Sequence, residues 1–257
     1  MPMPMMRLIE SADRAALTAF CGDSLCGAYI LCRYNCYGND YPFARCYIDR
    51  DCDTVRTAIS VLEGTAVLLT SDATDYEELA VCLPLLGVRS VMTDEETAQK
   101  LPFPCTQTRQ ALRFDCVATD VYATDDAPLR DVYDLIAASI PNAFPKGEEA
   151  YLHFLSDFTF RRNRGFARLK AVLENNMLTA CALTAAETET AAVISGVACR
   201  ADCRGKGFGK TVVSAMLSDL QQERKMPHVI ALNDNAIGFY KRLGFHESNR
   251  IVWLTIE

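Results

Sequence analysis

The sequence lacks an apolar run long enough to cross a membrane. No uninterrupted hydrophobic stretch among its 257 residues reaches the roughly 18 residues that a spanning helix requires. The start, Met-Pro-Met-Pro-Met-Met-Arg, also lacks the charged-then-apolar order of a secretory leader. These two absences point to a cytoplasmic protein with no membrane partner. Basic excess is missing as well: 26 Lys and Arg stand against 33 Asp and Glu, for a net charge of −7 and an isoelectric point near 5.1. Nucleic-acid binding needs a basic face, so no nucleic-acid partner is expected. Histidine is scarce, at 3 residues, and the 12 cysteines include no Cys-x-x-Cys pair. A disulfide framework belongs to small secreted chains, and zinc ligands come as close pairs or beside histidines. The thiols therefore read as reduced small hydrophobes, mostly buried, and no metal is expected.

What is present is the balance of a globular protein, 50% apolar and 23% charged. The one basic cluster, Arg161, Arg162, Arg164 and Arg168, reads as a solvated helix end and strand edge, with a nearby anionic ligand as the alternative.

Periodicity divides the chain into two similar halves. In the first, a short extended start at Arg7–Glu10 leads to helices up to Cys21 and from Ser24, then strands over Phe43–Asp49, Thr54–Leu62 and Thr65–Thr70. Capping boxes at Thr74-x-x-Glu77 and Thr93-x-x-Glu96 open two further helices around a strand at Val88–Met92. Ala111–Val117 closes this half as a strand. The second half opens with a short strand at Asp120–Ala123. A helix capped by Thr124 or Asp125 comes next, with Leu129, Val132, Tyr133 and Ile136 at helical spacing, and then a helix over Glu148–Arg162. Strands are expected at Phe166–Glu174, Met177–Thr184 and Ala191–Cys199. A helix running to about Lys225, a strand at His228–Leu232, a helix at Asn235–Leu243 and a strand at Arg250–Ile256 complete it. Both halves share one order: strand, two helices, three strands, helix, strand, helix, strand. Such a repeat implies an internal duplication, with domains at 1–118 and 119–257. The class is α+β, a mixed and mostly antiparallel central sheet flanked by helices.

The stretch Ser195–Val213 carries the chemistry. A strand leads through a polar loop into Arg204-Gly-Lys-Gly-Phe-Gly-Lys210, where glycines open a helix. Backbone N–H groups gathered at the positive end of a helix dipole hold phosphate. A Walker A loop is one residue short, since its first glycine falls on Arg204. The dinucleotide fingerprint fails because its third glycine falls on Lys210. Arg204-x-x-Gly207-x-Gly209 instead matches R/Q-x-x-G-x-G/A. A second stretch, Asn233-Asp-Asn-Ala-Ile-Gly-Phe-Tyr-Lys-Arg-Leu-Gly-Phe245, has the pattern N-x-x-A-x-x-x-Y-x-x-x-G-F.

With both motifs in this order, residues 119–257 resemble the GNAT superfamily of acetyl-CoA-dependent N-acetyltransferases. Residues 1–118 resemble it in element order alone, as a degenerate lobe without the glycine turn. The resemblance implies a GNAT fold with two lobes in tandem. It also implies acyl transfer, most readily acetyl, from acetyl-CoA to a primary amine of a small molecule or amino-acid derivative. In the resemblance, Arg204, Gly205, Lys206, Gly207, Phe208, Gly209 and Lys210 hold the cofactor pyrophosphate. Val197, Ala198 and Cys199 pair with the pantetheine arm, with an ordinary core strand as a compatible reading. Asn233 contacts the cofactor, and Phe239 either does so or packs in the core. Tyr240 becomes the general acid at the coenzyme A sulfur, and Asn235 a helix cap. No base is identified. Ala191–Cys199 has no acidic residue, Glu187 and Glu189 read as a solvated hairpin tip, and His153 and Asp157 are weak candidates. Cys199 and Cys203 carry no favoured role, and no nucleophile–base pair is evident, so direct transfer is expected. The alternative function is a non-catalytic acetyl-CoA-binding sensor or scaffold.

Overall fold

A computed structural model describes residues 6–51, 54–116, 124–140 and 147–256. The chain groups into two compact units, neither continuous in sequence. Unit 1 gathers Met1–Leu112, Ile230–Ile237 and Glu247–Glu257, and unit 2 gathers Arg113–Val229 and Gly238–His246.

In chain order, the first half holds β1 (Met6–Leu8), α1 (Arg14–Cys21), α2 (Leu25–Tyr37), β2 (Ala44–Asp51), β3 (Thr54–Leu62), β4 (Thr65–Thr70), α3 (Tyr76–Leu85), β5 (Ser90–Asp94), α4 (Glu95–Gln99) and β6 (Cys105–Arg113). The second holds α5 (Leu129–Ser139), α6 (Glu148–Asn163), β7 (Leu169–Glu174), β8 (Met177–Glu187), β9 (Ala191–Cys199), α7 (Phe208–Gln222), β10 (Met226–Ile230), α8 (Asp234–Arg242) and β11 (His246–Thr255). The repeated element order is present. The strand expected at Asp120–Ala123 lies outside the described residues.

Unit 1 arranges its strands as β1-β2-β3-β4-β5-β11-β6, and unit 2 as β10-β9-β8-β7. Ladders β4–β5 and β9–β10 are parallel, while β2–β3, β3–β4, β7–β8 and β8–β9 are antiparallel. The last strand completes unit 1: Ile251–Thr255 pairs antiparallel with Asp94–Ser90. Its Val252, Leu254 and the next buried residue, Ile256, join Ile59, Leu68, Leu83 and Val91 in one core. Alternate residues along β11 face that core, which is why a strand remote in sequence is retained there. Unit 2 closes a second core around Val132, Ile136, Phe158, Ala171, Cys181 and Leu183.

Four expected caps shift. Asp75, not Thr74, caps α3, accepting the Glu77 and Glu78 N–H groups. Asp94, not Thr93, caps α4 through the Thr97 N–H. Both threonines instead spend their hydroxyls on neighbouring strands, Thr74 on the Arg56 carbonyl at 2.7 Å and Thr93 on the Leu68 carbonyl at 3.1 Å. A carboxylate with two acceptor oxygens takes the helix start that a committed hydroxyl leaves. Asp125 does not cap α5, whose start is Pro128. It bridges to β7, its N–H on the Ala171 carbonyl and its side chain on the Leu173 N–H. Asn233, not Asn235, caps α8, accepting the Ala236 N–H at 3.0 Å.

Cys105 and Cys116 are exposed, Cys199 is half-buried, and the other eight described cysteines are buried free thiols. No helix among the described residues is long and apolar enough to cross a membrane.

Candidate functional site

The site begins where two parallel strands part. The β10–β9 ladder pairs Met226–Val229 with Ala191–Ile194 and stops there, but β9 continues to Cys199. On its other side the β8 register shifts between Leu183 and Cys181, opposite Gly196. That glycine has φ +56°, and a Cβ there would stand 2.8 Å from Ile136 Cδ1 and 3.1 Å from Leu183 Cδ1. Both backbone and packing demand glycine, and the bulge bends β9 as it leaves β10. Val197 and Cys199 are half-buried and Ala198 is buried.

Beyond β9, the turn Ala201–Cys203 leads into the glycine loop. Arg204 Nε reaches back to the Cys199 carbonyl at 3.4 Å. Gly205 and Gly207 adopt φ +79° and +91°, and a Cβ at either would meet open space. Gly207 is the N-cap of α7. No side chain caps that helix, and its first turn holds no acidic residue. The leading N–H groups of a helix have no internal partner, so those of Phe208 and Gly209 open outward with the positive end of the dipole. Arg204, Lys206 and Lys210 are exposed around them.

Phe239 ties this start to α8: a Cβ on Gly209 would lie 3.7 Å from its ring. Its ring also packs edge-on against Tyr240 at 5.1 Å. Tyr240 is buried, 7% exposed, against Phe245 at 5.4 Å. Burial pushes its phenol above the usual tyrosine value, so at neutral pH it keeps its proton. The structure thus links Cys199 to Arg204 and Gly209 to Phe239 and Tyr240 within unit 2, whereas Asn233 groups with unit 1.

Two expectations are corrected. Glu187 is not part of a solvated tip but 1% exposed. It pairs with Arg168, and with Lys225 at 2.7 Å. Only Glu189 is exposed. The arginine cluster is likewise only half solvated. Arg161 holds Asp157 at 2.8 Å and donates to the Thr184 and Ala185 carbonyls. Arg168 reaches Glu223 at 2.8 Å as well as Glu187, and this partner draws the Glu223 carboxyl down to about 2. These groups knit β7, β8 and α7 together. His153 is exposed on α6.

Sequence reasoning missed one cluster. Asp115, Cys116 and His246 bring their ligand atoms within 4.8 Å of one another. Cys116 and His246 stand 130 residues apart in the chain, so spacing alone carried no signal.

No curated protein sequence matches this chain. Among solved structures, a GCN5-related N-acetyltransferase from Sphaerobacter thermophilus superposes with a TM-score of 0.63 at 15% identity, over 98% of this chain and 95% of the other. A tandem GNAT protein from the clavulanic acid biosynthesis pathway gives 0.62 at 14% identity, over 98% of each chain. A GNAT-family acetyltransferase from Colwellia psychrerythraea gives 0.58 at 14% identity, over 98% and 99%. At such identities the likeness is one of fold, and the fold is that of GNAT proteins. The model of the acetyltransferase (GNAT) family matches residues 129–245, the stretch that contains the β9 opening, the glycine loop and Tyr240.

Proposed function

We propose that this chain is an acyl-CoA-dependent N-acyltransferase that moves an acetyl group from acetyl-CoA directly onto a primary amine of a small molecule or amino-acid derivative. The observation that carries this reading is the start of α7: an uncapped helix dipole preceded by two left-handed glycines with open space where a Cβ would be. That cradle fits a pyrophosphate. Acetyl-CoA supplies a thioester acyl group, and the chain supplies its grip and a proton. The N–H groups of the glycine turn hold the phosphates with Arg204, Lys206 and Lys210 nearby. Val197–Cys199, beyond the end of the β10 ladder, offers strand edge to the pantetheine amides. Tyr240, kept protonated by burial, donates its proton to the departing thiolate. Burial also pushes the Cys199 thiol up, which disfavours a thiolate nucleophile and supports direct transfer.

The absence of an acid on β9, together with the burial of Glu187 in ion pairs, favours a second reading, a non-catalytic acetyl-CoA sensor. Thiol release from acetyl-CoA with a panel of primary amines separates the two. In Tyr240→Phe, turnover is expected to fall about 100-fold or more, while acetyl-CoA affinity stays within about twofold. Tight acetyl-CoA binding by the wild type with no thiol release across the panel overturns the enzyme reading.

A further inference from the structure

Asp115, Cys116 and His246 form the one group of three metal-ligating side chains that converge among the described residues. His246 Nε2 stands 2.8 Å from Asp115 Oδ1 and 3.5 Å from Cys116 Sγ. The same ring nitrogen faces both partners. A relay that activates a thiol needs the sulfur on one imidazole nitrogen and the carboxylate on the other, so this arrangement is not a nucleophilic triad. It is three donors aimed at one centre. Tetrahedral zinc, with its usual bond lengths to sulfur and nitrogen, separates those two atoms by about 3.6 Å, close to the distance between Cys116 and His246. Nitrogen and oxygen ligands sit about 3.4 Å apart around the same ion, so Asp115 must draw back by roughly 0.6 Å. Its side chain is 45% exposed and has the freedom to do so.

The backbone under these donors is held firmly. Phe114, just before them, is buried and packs on Phe245 at 5.2 Å. Its N–H donates to the Pro227 carbonyl at 2.9 Å. Gly244 has φ +96°, and a Cβ there would press 3.1 Å from the Phe114 ring, so glycine permits the close approach of the two donor segments. The Gln221 amide donates to the Cys116 carbonyl. Fixed backbones with exposed side chain tips make a site that a cation enters without unfolding anything.

We propose that Asp115, Cys116 and His246 bind a zinc-class divalent cation through one thiolate, one imidazole and one carboxylate, with the fourth position open to water. The soft thiolate selects zinc or cobalt over magnesium and calcium. Binding breaks the Cys116 S–H bond and releases its proton to solvent, so affinity rises with pH. The site stands independently of the acyl-transfer reading.

The test is a Co2+ titration of the full, reduced chain, tracked by the thiolate-to-cobalt charge-transfer absorption, with Zn2+ as competitor. One equivalent is expected to develop the band and Zn2+ to remove it. Cys116→Ser should abolish the band, and Cys105→Ser, at the other exposed thiol among the described residues, should preserve it. His246→Gln and Asp115→Asn should each weaken Co2+ binding by about tenfold or more. A wild type without a thiolate band, or a band that survives Cys116→Ser, overturns the proposal.

Discussion

The crossover β4–α3–β5 of unit 1 and the crossover β9–α7–β10 of unit 2 share a parallel ladder joined by a helix. In each, the ladder ends before the first strand does: at Val67 and Met92 in one, at Ile194 and Val229 in the other. Past the ladder the two units diverge. In unit 1, Thr70 closes the gap, its hydroxyl bonded to Tyr76 at 3.0 Å and to Thr97 at 2.7 Å. Asp75 then occupies the α3 start, with Glu77 and Glu78 behind it. A cavity of about 560 Å³ beside these strands is lined by Asp94, Glu95, Glu96 and Glu247 against Lys100 and Arg250, and the acidic excess repels phosphate. In unit 2 the α7 start has a glycine where unit 1 has an aspartate, and no acid in the first turn. The same backbone frame thus presents an open helix start in one unit and an acid-occupied one in the other, a difference of two or three residues.

Moving the unit 1 solution into unit 2 gives the largest expected effect. Gly207→Asp places a carboxylate at the anion cradle and a side chain at φ +91°, where only glycine is comfortable. Acetyl-CoA affinity by calorimetry should fall by about 100-fold or more, on the scale of 2.7 kcal/mol. Retained affinity would show that the α7 start is not the anion site. The reverse change is milder: Asp75→Ala removes the α3 cap and should cost about 1 kcal/mol of stability, read in urea by Trp253, which sits on β11 opposite Met92 in unit 1. Acetyl-CoA stoichiometry should stay at one per chain; a second site appearing would mean that the cap alone keeps unit 1 from binding.

The smallest effect is one of pH. Asp13, its side chain 2% exposed, pairs with Arg7 at 2.7 Å and Arg50 at 3.3 Å. The hydrogen bond from Arg7, outweighing burial, lowers its carboxyl from 3.8 to about 2. A carboxylate depressed on folding stabilises fully above its unfolded value and loses that contribution as pH falls toward its folded value. Asp13→Asn should therefore lower the urea midpoint at pH 7, and the deficit should shrink between about pH 4 and 2. A deficit constant across that window would show that the ion pair is not its source.

The element order is legible in the sequence because apolar periodicity and turn residues are local, and they recur in both halves. The helix starts at Thr74 and Thr93 fall one residue off, since nothing in a pattern shows that a threonine hydroxyl is already committed to a neighbouring strand. The glycine loop is legible because φ near +90° at Gly207 leaves a residue-type signature. The burial of Glu187 is not, because its partners, Arg168 and Lys225, come from β7's approach and the end of α7 rather than from its own hairpin. The membership of β11 in unit 1 is also hidden, because alternation marks a strand without naming its neighbour.

That last strand also sets an order of events. A ribosome delivers β5 long before it delivers Ile251–Thr255, the segment that pairs with it. During synthesis the β5 edge and the apolar face around Leu68, Leu83 and Val91 stay without Val252 and Leu254, whereas α5 through β10 lie together in sequence. Contacts between residues so far apart form slowly, and an uncovered strand edge invites pairing with other chains. The first half to be made thus waits for a strand from the end of the second.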